Sequence, residues 1–545
     1  MKTPRFICGL VVGLVLAGLR ADGAVEPFYD GLGSHSRKIT TGSTEAQRYF
    51  DQGLRFLFGF NHGAAIRSFQ AAAAADPGCA MAHWGIALAS GPHINFPLVP
   101  PPAAELAWQE LGLARANAAP ATAVERDLIT ALAARYAQPQ PDDRGPLDLA
   151  YAEAMRKVWH AHPDDADVGA LFAEAMMDLR PWDQWTPAGQ PEPGTDEILA
   201  TLDAVLKLDL NHPFANHLYI HAVEASPHPE RAIPAADRMV RLQPGLAHNV
   251  HMPSHVYIRV GRWRDAIDAN VRAVAADRRY RAVAGPPHGF ILVYIAHNEH
   301  MLAYAAMMTG QRTLAVEHIA AMVANFPEED MKDFGLEAFA AMPYEVLVRF
   351  GRWDEILAKP DHPDWMPFSR ALRHAARAVA LAAKSNTKAA RAEQALYTAE
   401  AERVPADELS GNNTSRQVLT VATPMVEGEI LYREGRVDEG LAKLRAAVQA
   451  EDALRYDEPP GWLLPVRHSL GAVLMQERRY AEAEQVYRDD LARLPGNGWS
   501  LFGLAESLRY QRKHTEAEPV ERQFKAVWAK SEVELHSSCL CQPGI

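Results

Sequence analysis

Histidine spacing marks the part of this chain equipped for chemistry. Ten of the 22 histidines fall between His212 and His300. His217 and His221 are four residues apart, as are His251 and His255, while His297 and His300 are three apart. Residues at these intervals share a helix face, and a helical His-x-x-x-His pair can offer two imidazoles to one ion. The pairs also keep register with recurring alanines. Counting back from Ala232, Ala266 and Ala315, an offset of fifteen holds His217, His251 and His300, and an offset of eleven holds His221, His255 and Tyr304. An offset of eighteen holds Phe214, His248 and His297. Seven histidines therefore lie on one stripe of three successive helices, and Glu224 extends it by a turn. Four imidazoles, or three with Glu224, suit zinc, copper or iron without choosing among them. Helix axes roughly 8–10 Å apart leave a gap that two imidazoles and an ion with bonds of about 2.0–2.1 Å can bridge. Pro253 disfavours helix at Met252, so a helix is expected to start near Pro253 with His251 at its N-cap.

The elements that must position these residues repeat. A turn, often Gly-Arg-aromatic, precedes a small residue that opens an apolar stripe. Gly261-Arg262-Trp263, Gly351-Arg352-Trp353 and Gly435-Arg436-Val437 begin three copies, and looser ones occur at Asn61, Pro229, Gly310, Arg479 and Lys513. The intervals Ala232–Ala266 and Ala483–Ala517 are both 34 residues, and a proline follows the alanine at Pro77, Pro244, Pro327 and Pro495. A helix closed by a Pro-containing turn and followed by another helix explains the phrase. Such pairs bury their apolar faces only by stacking on neighbours.

This text resembles the tetratricopeptide repeat, a 34-residue helix–turn–helix unit. The resemblance implies an all-α fold, a right-handed α-solenoid of helix pairs. It also implies that the stripe of the first helix lines a concave groove, so that His217, His221, His248, His251, His255, His297 and His300 face one shared cavity. The stretch 216–270, with His251-Met252-Pro253-Ser254-His255, is similar to an exported bacterial family of such proteins; this adds fold and no function.

The chain divides, on these readings, into a signal peptide at 1–24, an N-terminal extension at 25–45 and first repeats at 46–95. An irregular helical segment with Pro-rich loops follows at 96–212, then His-rich repeats at 213–345, C-terminal repeats at 346–530 and a flexible tail at 531–545. Within 96–212, the loop 181–193 is long for such an array and could cover a groove. Lys2 and Arg5 before the apolar run Phe6–Leu19 and the small residues at 21–24 predict export to the periplasm or beyond. Fourteen apolar residues fall short of the roughly 20 a membrane span requires, so no integral membrane protein is expected. A net charge of −13 argues against nucleic acid or an anionic membrane as partner. Composition, 48% hydrophobic and 23% charged, is that of a globular protein.

Weaker signals are read blandly. His468 repeats the groove offset in isolation. Cys79 and His83 read as a buried helix start. Cys539-Leu540-Cys541 could chelate a soft metal or form a disulfide, and a lone Cys-x-Cys is unspecific. Three functions stay open: a solenoid holding a transition-metal ion, a metalloenzyme with Glu224 or Tyr304 moving protons at the same cluster, and a metal-free scaffold gripping a peptide or protein in the groove.

Overall fold

Helix pairs build the described part of the protein. The computed structural model describes residues 26–542, and among these only Leu409–Ser410 and Asn413–Thr414 form named strands, paired antiparallel. The signal peptide expected at 1–24 lies outside the described residues. No helix among the described residues is long and apolar enough to cross a membrane. The fold class is the expected all-α array of tetratricopeptide-like helix hairpins. The described chain forms two compact units, 26–256 with 272–294, and 257–271 with 295–542. The division passes through the 213–345 segment that holds the histidine stripe.

In the first unit, α1 (Thr44–Phe58) pairs with α2 (His62–Ala75) and α3 (Ala80–Ala89) returns beside them. Ser43 caps α1 by accepting from Ala46 N, and Asn61 caps α2 by accepting from Ala64 N. Between these helices Phe60 takes a left-handed φ of 56°, the conformation that lets the chain reverse within one short turn. Gly53 and Gly85 flank the Phe69 ring so closely that a Cβ at either would sit 2.6–2.7 Å from it. Those two missing side chains are what allow the aromatic ring between the helices.

The chain continues through α4 (Pro101–Ala116), α5 (Ala123–Leu132), α6 (Gly145–Ala161), α7 (Ala166–Met177) and α8 (Thr195–Leu208) to α9 (Pro213–Glu224). Pro213 occupies the first turn of α9, where a missing N–H costs nothing, and His212 Nδ1 accepts from Ala215 N at 3.1 Å. Every residue of α9 is buried, so it is a helix covered on all sides rather than one with a solvated stripe. Next come α10 (Ile233–Leu242) and α11 (Ala247–His251). His251 closes α11 instead of capping a helix that starts at Pro253. Met252 keeps helical angles (φ −47°, ψ −39°) and its N–H bonds His248 O, because Pro253 constrains it without forbidding the turn.

The second unit repeats the hairpin. Its pairs include Pro367–Ala383 with Thr387–Arg403, Ser415–Arg433 with Val437–Asp452, Val466–Gln476 with Tyr480–Arg493 and Gly498–Tyr510 with His514–Val527. A left-handed residue reverses each of these pairs: Ser385, Gly435, Arg478 and Arg512. Gly261, which opens the Gly-Arg-Trp phrase, has φ 77° and lies so near Pro495 that a Cβ would be 2.7 Å from its carbonyl oxygen. Across both units the phrase alanines Ala232, Ala266, Ala315, Ala483 and Ala517 are at most 1% exposed. Only a methyl fits where the paired helices touch.

The tail expected to be flexible is packed as far as it is described. Ser538 donates to His468 O at 2.8 Å and meets Tyr487 Oη at 2.7 Å, and Cys539 and Cys541 are buried and joined by a disulfide. Apolar periodicity carries no trace of this anchoring, because side-chain hydroxyls and sulfur make it.

Candidate metal centre

Five of the seven stripe histidines converge inside the first unit. His217 and His221 project from α9, and His248 and His251 from α11, with His255 one turn further on. All five are between 0 and 5% exposed, as is Glu224. The open groove implied by the repeat resemblance is here a filled interior. One reason is the loop after α7, and Phe60 and Tyr294 pack on His217 and His248 besides. Trp182 sets its ring edge against His221 with centroids 5.1 Å apart and donates to Asn95 Oδ1 at 3.0 Å, while Trp185 donates to Ala222 O at 2.8 Å. That loop, expected as a possible cover, lies directly on α9.

Hydrogen bonds fix which nitrogen of each ring is available. The His217 Nδ1 lies 2.9 Å from Phe58 O, an atom that only accepts, so Nδ1 carries the proton and Nε2 presents a lone pair. His221 Nδ1 donates to Glu224 Oε1 at 2.8 Å, again leaving a lone pair on Nε2. Neither Nε2 has a hydrogen-bond partner although both are buried. Donor nitrogens of His217, His221 and His248 lie within 4.8 Å of one another. Burial, reinforced by the His221 charge, holds His217 well below the usual imidazole range, and burial takes His221 down to about 3. These rings are therefore neutral at pH 7, the form that binds metals.

Glu224 organises a second group. Its other oxygen, Oε2, accepts from His255 Nδ1 at 2.5 Å, and His255 Nε2 lies 2.6 Å from His251 Nε2. Ser254 Oγ is 3.3 Å from His251 Nδ1. The chain Ser254–His251–His255–Glu224–His221 can be satisfied throughout when the hydroxyl donates to His251 and His251 donates to His255. A carboxylate on the Nδ1 of a ligating imidazole is the arrangement that orients the ring and raises its basicity. Glu224 thus acts through the rings, each of its oxygens being committed to an imidazole N–H.

The remaining candidates belong to the second unit. His300 is buried against Phe339, with Nε2 lacking a partner, and burial lowers it to about 3. His297 is half-buried. Tyr304 is buried on Trp263 with no hydrogen bond to its hydroxyl, and burial drives its pKa far up, which makes it a poor proton carrier. His468 is no groove residue: it is buried and pairs with Asp490 at 3.0 Å. In the first unit His83 pairs with Glu110 at 2.6 Å, and Cys79 stays a buried free thiol, as their bland reading had it.

Several neighbours of the centre escaped the stripe. His93 and His62 stack 4.2 Å apart, Phe60 packs on His93, His217 and His248, and Tyr294 lies 4.3 Å from His248. Burial, with the charge of His62 next, keeps His93 well below its ordinary value. His93 belongs to the loop Pro92-His93-Ile94-Asn95, where no helical period exists to flag it. Its only signal in the sequence is an unusual His and Asn in an otherwise apolar turn.

A third histidine group surrounds Asp167, which meets His35 at 2.9 Å, His212 at 3.0 Å and Arg37 at 3.0 Å. Although burial favours the neutral acid, hydrogen bonds from His212 and His35 hold the carboxyl well below its usual range. Here the carboxylate is already engaged by all three side chains.

No family model matches the chain, and no curated protein matches it. Among solved structures, the human IFIT1 dimer with PPP-AAAA matches at 11% identity over 87% of this chain and 89% of that one, with a TM-score of 0.35. The Cut9–Hcn1 hetero-tetramer of APC/C matches at 11% identity over 89% and 74%, TM-score 0.31. The P58(IPK) TPR domain matches at 12% identity over 86% and 99%, TM-score 0.21. At these scores the likenesses carry no argument about function, and the fold class rests on the hairpins themselves.

Proposed function

We propose that the protein holds a transition-metal ion, zinc, copper or iron, on His217, His221 and His248. One observation carries the reading: two buried Nε2 lone pairs converge without partners while the opposite nitrogen of each ring is committed to an acceptor. An unmet buried polar atom costs about 1–3 kcal/mol, and a cation between the rings removes that cost. Bonds of about 2.0–2.1 Å need donor atoms roughly 3.4 Å apart, so closing from the 4.8 Å limit requires side-chain shifts of about 1 Å or less. With the imidazoles at most 5% exposed, the centre suits a held ion better than turnover of a substrate. On this reading Glu224 positions rings and Tyr304 takes no part. The N-terminal charge and apolar run support export as the setting.

A scaffold role is the second reading, supported by the hairpin array and an open cleft of about 1250 Å3 in the first unit, bordered by Arg37, Asp76, Asp165 and His162. A polar peptide segment is the partner such a lining would accept. The two readings are compatible.

Elemental analysis of protein purified without an affinity tag tests the metal reading. About one equivalent of zinc, copper or iron is expected, falling to background in His217→Gln/His221→Gln. Sub-stoichiometric amounts of all three in the wild type would sink it. Glutamine replaces alanine here because these side chains fill core space and truncation would add a cavity cost.

A further inference from the structure

We propose a second, independent cation site in the second unit, formed by Cys539, Cys541 and Glu429 once the Cys539–Cys541 disulfide is reduced, and selective for a thiophilic ion such as zinc or copper(I). One donor atom from each residue lies within 4.8 Å of the others, and all three residues are buried. Glu429 Oε1 is 3.2 Å from Cys541 Sγ, and Gln542 donates to Glu429 Oε2 at 2.6 Å, fixing the carboxylate toward the sulfurs. Cys541 N donates to Cys539 Sγ at 3.3 Å, and Ser469 Oγ lies 3.4 Å and 3.6 Å from the two sulfurs. Donors aimed at sulfur favour thiolate over thiol.

Charge supplies the argument. Oxidised, the pair is neutral and Glu429 is met by Gln542, Ser469 and the charge of Arg433. Reduced, two thiolates and a carboxylate would share one buried pocket in which Arg433 supplies a single positive charge, leaving an excess that calls for a bound cation or for protons on the sulfurs. Two sulfur bonds of about 2.3 Å and one oxygen bond give three protein donors, the number used by zinc sites that keep a fourth position for water, and the soft pair also fits copper(I). The steps balance: an external dithiol gives two electrons and two protons, the S–S bond breaks, two S–H groups form and the reductant closes its own disulfide. A divalent ion then displaces both protons and forms two metal–sulfur bonds. The tail carrying the cysteines is hydrogen-bonded to His468 O and Tyr487 through Ser538, so the donors arrive preplaced.

Cobalt(II) is the probe. Full-length protein is reduced with dithiothreitol, freed of reductant under nitrogen and titrated beside the untreated oxidised form. One additional equivalent is expected in the reduced form, with a near-ultraviolet thiolate-to-cobalt band that imidazole ligation at the first-unit centre cannot produce. Cys539→Ser/Cys541→Ser should lose the band and the extra equivalent, and Glu429→Gln should weaken binding about tenfold or more. The comparison of oxidised with reduced wild type needs no variant to fold. A reduced wild type without the band, or a disulfide that resists dithiothreitol in the folded protein, overturns the proposal without touching the histidine centre.

Discussion

Glu224 and His255 are 31 positions apart in the chain and meet through a 2.5 Å bond between carboxylate Oε2 and imidazole Nδ1. The same carboxylate orients His221, so one buried acid couples α9 to the helical turn that carries His255. Replacing Glu224 by Gln offers one acceptor oxygen where two imidazole N–H groups need one each. The expected result is a 10–100-fold loss of metal affinity, read by competition with a chelator, together with about 1–3 kcal/mol of lost stability in chemical denaturation. Unchanged affinity would mean that the carboxylate does not set the rings.

Trp182 is the cover of the centre. Trp182→Ala removes the ring that rests on His221 and opens a route for water and chelators, while Trp182→Phe keeps a ring and loses only the bond to Asn95. Metal transfer to a chromogenic chelator should be about tenfold faster or more in the Ala variant and only slightly faster in the Phe variant. Equal rates in all three proteins would show that exchange takes another path.

Asp167 holds three side chains, His35, His212 and Arg37, in one buried site. Breaking a buried ion pair costs about 3–5 kcal/mol when the remaining charge is left uncompensated; Arg37 keeps Asp165, so Asp167→Asn should destabilise the first unit by less, about 1–3 kcal/mol for the lost hydrogen bonds. Thermal unfolding measures it. The metal content proposed for the histidine centre should be unchanged in the folded fraction, since none of its ring nitrogens bonds Asp167.

Glu345 makes stability depend on pH in the alkaline direction. Burial raises its pKa to about 8, with the bond from Leu463 N opposing. The folded state therefore keeps a proton that the unfolded chain releases above its ordinary value near 4.5. The resulting stability is complete below about pH 4.5 and is lost as pH rises toward 8. Glu345→Gln should flatten that slope and gain on the order of 1–3 kcal/mol at pH 8 relative to wild type, while differing little near pH 4.5. Denaturant midpoints at the two pH values decide it, and an equal offset at both would assign the effect to packing instead.

The sequence by itself determined the hairpins and half of the centre. Ala232, Ala266 and Ala315 could be recognised because a helix contact that admits only a methyl imposes its own spacing, and His217 and His221 because four residues return a helix to the same face. Tertiary structure decided the rest. Phe58 O and His93 reach the centre through bonds and stacking between distant segments, which no periodicity records; Glu224 is legible on the stripe, but its bond to His255 is not. It also decided burial: a stripe of polar residues looks alike whether it lines an open groove or lies under Trp182 and Trp185, and only the folded loop shows which. His300 and Tyr304 keep the repeat offset yet pack on Phe339 and Trp263. Register along a repeat is local, whereas membership of a packed core is set by contacts far apart in the chain.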